Sequence, residues 1–164
     1  MKILDRLPIF EREEADLSSD GIVTIKAFQI AVSVSLTIKG IAELDPGTPI
    51  FPAILDTGNS HNFAIREDQL EGAKLSHISR IGSIRLGGDV LPLIAANVWL
   101  HRNRPNTRML EGGAYLLELS EGVAVYPQGM PNPARLPILG LRGLVKNNLT
   151  LLIDGKQRAV TLKL

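Results

Sequence analysis

Between Ile22 and Ile38 the chain alternates: Phe28, Ile30, Val32, Val34, Leu36 and Ile38 interleave with Ala27, Gln29, Ala31, Ser33, Ser35 and Thr37. A period of two predicts strand with one buried face, with a bend or break near Lys26, and argues against a membrane-spanning helix. "DPGTP" at 45–49 is turn chemistry and is followed by an unbroken apolar run, Ile50 to Leu55, that delivers Asp56. Residues 62–71 read as a strand end followed by a helical turn, and 79–101 as a hairpin turning at Gly87-Gly88. Residues 102–113 read as a polar loop, and Ala114 to Tyr126 as strand interrupted near "SEG". "PQGMPNPARLP" is a second loop, and 138–148 is an apolar stretch opening into a short helix. The last sixteen residues, "LTLLIDGKQRAVTLKL", read as two strands joined by a two-residue turn at Asp154-Gly155.

A length of 164 residues suits one domain with a substantial core, and 15 Gly and 10 Pro at short spacings favour an all-β fold. The polar N-terminus, residues 1–20 with its "EREEAD" cluster, is expected to be a solvated, mobile leader to a single domain at 21–164. It carries no apolar core of the secretory kind. With no such signal and no span, a cytoplasmic location is the default expectation, with no membrane partner. Eighteen basic and 17 acidic residues leave a net charge of +1. Neither this balance nor an aromatic content of 4% suits a nucleic-acid binder. The absence of cysteine excludes disulfides, zinc–thiolate sites and thiol catalysis.

The chemistry concentrates in "FPAILDTGNS", residues 51–60. A carboxylate at the tip of a buried strand is partly desolvated. Gly58 permits a tight turn there, and the Gly58 N–H with the Thr57 and Ser60 hydroxyls can fix the Asp56 rotamer. One carboxylate is half a machine: activating water against an amide needs a group that accepts a proton and one that donates it. Two adjacent carboxylates sharing a proton meet that need, as aspartic proteases illustrate. Asp5, Asp16, Asp20, Asp45, Asp68, Asp89 and Asp154 all lack a following Thr-Gly or Ser-Gly. The partner must then come from a second copy of the chain, across a twofold axis.

"ILDTGNS" resembles the catalytic motif of aspartic proteases, and the downstream "PILGLRGL" resembles that fold's second signature, two apolar residues and a glycine leading into a short helix. The single motif and short chain are similar to the retropepsin-like, homodimeric branch. The resemblance implies a closed retropepsin-like β-barrel with one short C-terminal helix and an extended peptide or protein substrate. It implies no metal and no organic cofactor. It implies Asp56 as the catalytic carboxylate, Thr57 as the link between catalytic loops across the dimer, Gly58 as a loop glycine, and Ser60 as a hydrogen-bond partner of the carboxylate. Ile138, Leu139 and Gly140 are implied to support the loop from behind. The family closes a glycine-rich hairpin over its substrate. Two segments fit that flap: the hairpin containing Ile84, Arg85, Leu86, Gly87 and Gly88, and the 102–113 loop with Gly112-Gly113.

The remaining features read more plainly. His61, His77 and His101 lack metal-ligand spacing, and His61 reads as solvated or locally hydrogen-bonded. The arginines of "HRNRPNTR", 101–108, read as a solvated loop, and Trp99 as a strand anchor. The function expected is an aspartic endopeptidase formed across a homodimer. A catalytically silent peptide-binding module on the same fold is the alternative, ahead of a purely structural barrel in which Asp56 caps a turn.

Overall fold

A computed structural model describes residues 1–18, 21–75 and 77–164. Half the chain is strand and 8% is helix, so the mostly-β expectation holds. In chain order the elements are β1 (Lys2–Pro8), β2 (Glu14–Ser18), β3 (Gly21–Ile25), β4 (Ile30–Ile38), β5 (Phe51–Asp56), β6 (Phe63–Arg66) and α1 (Glu67–Gly72). Then follow β7 (Arg80–Leu86), β8 (Asp89–Ile94), β9 (Ala96–Asn103), β10 (Leu110–Leu117) and β11 (Val123–Tyr126). Last come β12 (Ile138–Gly140), α2 (Leu141–Lys146), β13 (Thr150–Asp154) and β14 (Ala159–Lys163). A nine-stranded mixed sheet runs β10-β9-β4-β5-β12-β6-β11-β8-β7, a three-stranded sheet runs β1-β14-β13, and β2 pairs with β3.

The alternation of each strand sorts its residues between two faces. Ala53 and Leu55 of β5, Leu139 of β12, Phe63 and Ile65 of β6, and Val123 and Val125 of β11 all enter one main core. The opposite face carries a row of direct cross-strand partners: Ala31–Ile54, Ile54–Ile138, Ile138–Ala64, Ala64–Ala124 and Ala124–Leu93. Asp56, two residues beyond Ile54, shares that second face.

Five expectations need correction. The N-terminal residues are no mobile leader: β1 pairs with β14, and Ile3, Leu4 and Leu7 are buried in the main core. The chain reads as polar there because a β-bulge between Leu4 and Leu7, with Arg6 at φ 48, breaks the alternation. Residues 19 and 20 of that segment lie outside the described residues. The 22–38 segment does break after Ile25, but its polar face is buried too. Ser35 donates to the Pro49 carbonyl at 2.7 Å and lies 2.8 Å from His101 Nε2, while Trp99 Nε1 donates to Thr37 Oγ1 at 2.9 Å. The hydroxyls are tolerated inside because each has a partner. Half of the 102–113 loop is strand, the end of β9 and the start of β10, so Gly112-Gly113 lies within a bulged strand. The final hairpin exists, but Asp154 pairs with Ala159 across a four-residue connection, where Asp154 Oδ1 accepts the Gln157 N–H at 2.9 Å. Finally, the barrel expectation gave one helix, the C-terminal one; among the described residues there are two, and α1 falls where 62–71 read as a helical turn.

Leu4→Ala should lower the unfolding free energy by about 2–5 kcal/mol in urea titration, the usual cost of deleting a fully buried leucine side chain. A mobile leader would give no change.

Candidate active site

The site is built on a strand insertion. β12 lies between β5, to which it is parallel, and β6, to which it is antiparallel. Its register sets Ile138 beside Ile54, Leu139 beside Leu55 and Gly140 beside Asp56. The two short segments singled out in the sequence, 84 residues apart at Ile54 and Ile138 by position, are therefore neighbours at every residue. The chain leaves β5 at Asp56 into a tight turn. The Gly58 N–H donates to Asp56 Oδ1 at 2.9 Å, and the Asn59 N–H to the Asp56 carbonyl at 3.1 Å. Asp56 is half-buried, while Thr57, Gly58 and Ser60 are exposed. The carboxylate's bond thus comes from the Gly58 backbone; Ser60 makes none with it among the described residues.

Behind the turn, β12 and α2 hold the loop through its carbonyls. The Gly140 N–H donates to Asn62 O at 2.9 Å and the Leu141 N–H to Asn59 O at 2.8 Å. The Asn59 side chain accepts the His61 N–H at 3.0 Å. Gly140 is glycine because a Cβ there would sit 2.1 Å from the His61 carbonyl oxygen. Ile138, Leu139 and Gly140 therefore lie where loop support was expected. The roles of Asn59 and Asn62 were missed, since carbonyl acceptors carry no side-chain signature.

His61 departs from its reading. It is 1% exposed, and neither ring nitrogen has a hydrogen-bond partner among the described residues. Burial pushes its imidazole below the ordinary value of 6.5; the nearby Arg142 adds to this and Glu121 opposes it. Arg142 of α2 and Glu121 form an ion pair. Burial also lowers His101.

Two satellite clusters cover the Asp56 face. Ile25, Ala31 and Leu136, with Phe10, Val23 and Ile54, form one. Ala64, Leu91, Leu93 and Ala124, with Ile84, Leu86, Tyr126 and Met130, form the other. Ile138 belongs to neither and stays half-buried between them, next in line to Gly140. Asp56 thus stands at the end of an apolar strip formed by Ile54 and Ile138 on this face.

The two flap segments differ in freedom. The β7–β8 hairpin turns at Gly87 (φ 58) and Gly88 (φ 98), the two positive dihedrals a tight hairpin turn requires. Its tip, with Arg85, Gly87 and Gly88 exposed, lies at the sheet edge, and four strands separate β7 from β5. The β9–β10 turn is tied down: the Asn106 N–H and Asn103 Nδ2 both donate to Asp5 O, at 3.2 and 3.1 Å. The arginine loop is not simply solvated either, because Arg108 is largely buried and paired with Asp16. Trp99 is the strand anchor expected. Among the described residues no cluster of three His, Asp or Glu side chains is placed to hold a metal, and no helix is long and apolar enough to cross a membrane.

No family model matches the chain, and comparison with curated proteins and with solved structures finds no match.

Because the folded chain holds both histidines below their ordinary value, stability is complete above pH 6.5. It is lost as pH falls, because the unfolded chain binds the protons first. Each buried imidazole contributes a slope of at most about 1.4 kcal/mol per pH unit, where the unfolded ring is protonated and the folded one is not. Urea unfolding at pH 7, 6 and 5 should show this fall, and His61→Phe should remove one proton's share of it. An unchanged slope in His61→Phe would show that the ring titrates freely.

Proposed function

We propose that this protein is an aspartic endopeptidase whose catalytic dyad forms from the Asp56 side chains of two copies of the chain. The observation that carries this reading is the register of Gly140 beside Asp56, with the Asp-Thr-Gly turn fastened to the β12–α2 backbone. A carboxylate merely capping a turn needs neither the inserted strand nor the glycine behind it. The half-buried Ile138, flanked by two apolar clusters, supports a substrate bound extended with apolar side chains near the cut. Closure of the large sheet into an acid-protease barrel, with the β7–β8 hairpin as flap, belongs to the same reading.

In the proposed mechanism one Asp56 is ionised and the other protonated, since two like charges at hydrogen-bond distance share one proton. The ionised carboxylate takes a proton from a water molecule, and the oxygen of that water attacks the scissile carbonyl carbon. The protonated partner donates a hydrogen bond to the carbonyl oxygen as charge builds there. The tetrahedral intermediate then collapses: the C–N bond breaks and the leaving nitrogen receives the proton.

The dimer is supported by exposed apolar side chains that continue from the site. Leu141 and Val145 (62% exposed) lie on α2, directly after Gly140, and Leu152 and Ile153 on β13, which follows α2. β13 is also an edge of its sheet, and an open edge with apolar side chains is a surface that chains usually cover.

A peptide-library cleavage profile from acidic to neutral pH tests the reading. Wild type should cut, and Asp56→Asn should lose activity by at least about 1,000-fold, as expected when a group essential to proton transfer is removed. A stable monomer that cuts nothing at any pH would leave the silent peptide-binding module. Val145→Glu combined with Ile153→Glu should shift the protein to monomer in sedimentation and abolish cleavage while the fold persists. Retained activity in a monomer would refute the shared dyad.

A further inference from the structure

The two apolar clusters on the Asp56 face are built differently. One belongs to the large sheet through the β7–β8 hairpin. The other is carried by residues 9–18 and 21–29, whose strands β2 and β3 pair with each other and, among the described residues, with no other strand. Ile25, Val23 and Phe10 anchor it on Ala31, Ile54 and Leu136. Arg108 latches it: Nε and Nη2 donate to Asp16 Oδ2 at 3.1 and 2.5 Å, and Nη1 donates to Ala31 O at 2.9 Å. The same guanidinium lies 5.5 Å from the Phe10 ring centroid.

This segment ends in a turn at 26–29. The Gln29 N–H donates to Lys26 O at 3.3 Å, the Lys26 N–H to Gln29 Oε1 at 3.1 Å, and the Phe28 N–H to Phe10 O at 2.8 Å. The next residue, Ile30, pairs with Leu55. The turn therefore stands at the Asp56 end of β5. Within it Phe28 has φ 60, a left-handed conformation that bulky side chains rarely adopt, and the residue is 72% exposed. Glycine or asparagine suits such a position if the turn is only structural. A strained backbone bearing an uncovered aromatic ring, beside a site, points to a contact made with something outside the chain.

We propose that Phe28 is a specificity-determining residue, whose ring receives a large apolar or aromatic side chain of the peptide substrate, and that Arg108 is the positioning residue that holds the turn in place. This rests on the protease reading and adds to it the class of side chain selected beside the Asp56 end of β5.

The test compares wild type, Phe28→Gly, Arg108→Gln and Asp56→Asn, all as full chains, on one peptide library. Phe28→Gly removes the ring and relieves the dihedral, so its melting temperature should equal or exceed that of wild type. Its dimer fraction in sedimentation should be unchanged. For peptides with Phe, Tyr or Leu near the cut, kcat/KM should fall up to about tenfold, mainly through KM, the size of one aromatic contact. Peptides with small residues there should be cut as before. Arg108→Gln should raise KM for the same peptides, and adding it to Phe28→Gly should change little more. A library profile unchanged in Phe28→Gly, a loss equal across all peptides, or a loss explained by dissociation of the dimer overturns the assignment and leaves the protease reading standing. Absence of any cleavage that depends on Asp56 overturns both.

Discussion

The contact on which the site depends is a backbone one: Gly140 lies so near the His61 carbonyl that no side chain fits between them. That approach lets two N–H groups, from Gly140 and Leu141, reach the carbonyls of Asn62 and Asn59. These bonds fix where the chain goes after Asp56. Without them the turn has only its own short hydrogen bonds to the Asp56 carboxylate and carbonyl, which define its shape but not its place in the molecule. A helix start that satisfies its own orphan donors on a neighbouring loop is an economical clamp, since both partners bury groups that otherwise need water.

The same loop holds a tension. His61 and Asn62 are fully buried, and the polar atoms of both side chains lack partners among the described residues. Unpaired buried polar atoms each cost about 1–3 kcal/mol, so this loop is a poor choice on stability alone. Its backbone is what the clamp uses; the side chains come with it. The ion pair of Arg142 with Glu121 beside His61 adds a charged environment in which protonating the ring is opposed by one partner and favoured by the other.

Much of the site was legible in the sequence, and for a clear reason. Asp56, Gly58 and the Ile-Leu-Gly segment are local: an apolar run with a breaker at its end states both strand and turn. The pairing of those two segments was legible only through the resemblance, because register is set by the whole sheet. What failed shares one cause. β1, the buried hydroxyl face of β4, the strand within 102–113 and the burial of His61 all depend on which distant strand arrives as a neighbour. Ser35 and Thr37 look solvent-facing until His101 and Trp99 are placed on β9. Arg6 hides β1 by interrupting its alternation at a bulge, and Arg108 looked like loop charge until Asp16 and Ala31 were set around it.

The most direct test of a dyad shared between copies is subunit mixing. Wild type and Asp56→Asn are equilibrated together at fixed total concentration, above that needed for the dimer, and cleavage is measured against the wild-type fraction. If each active assembly needs an Asp56 from both chains, mixed dimers are silent and activity falls as the square of that fraction. Activity that falls in simple proportion to it would mean that each chain carries its own complete machinery.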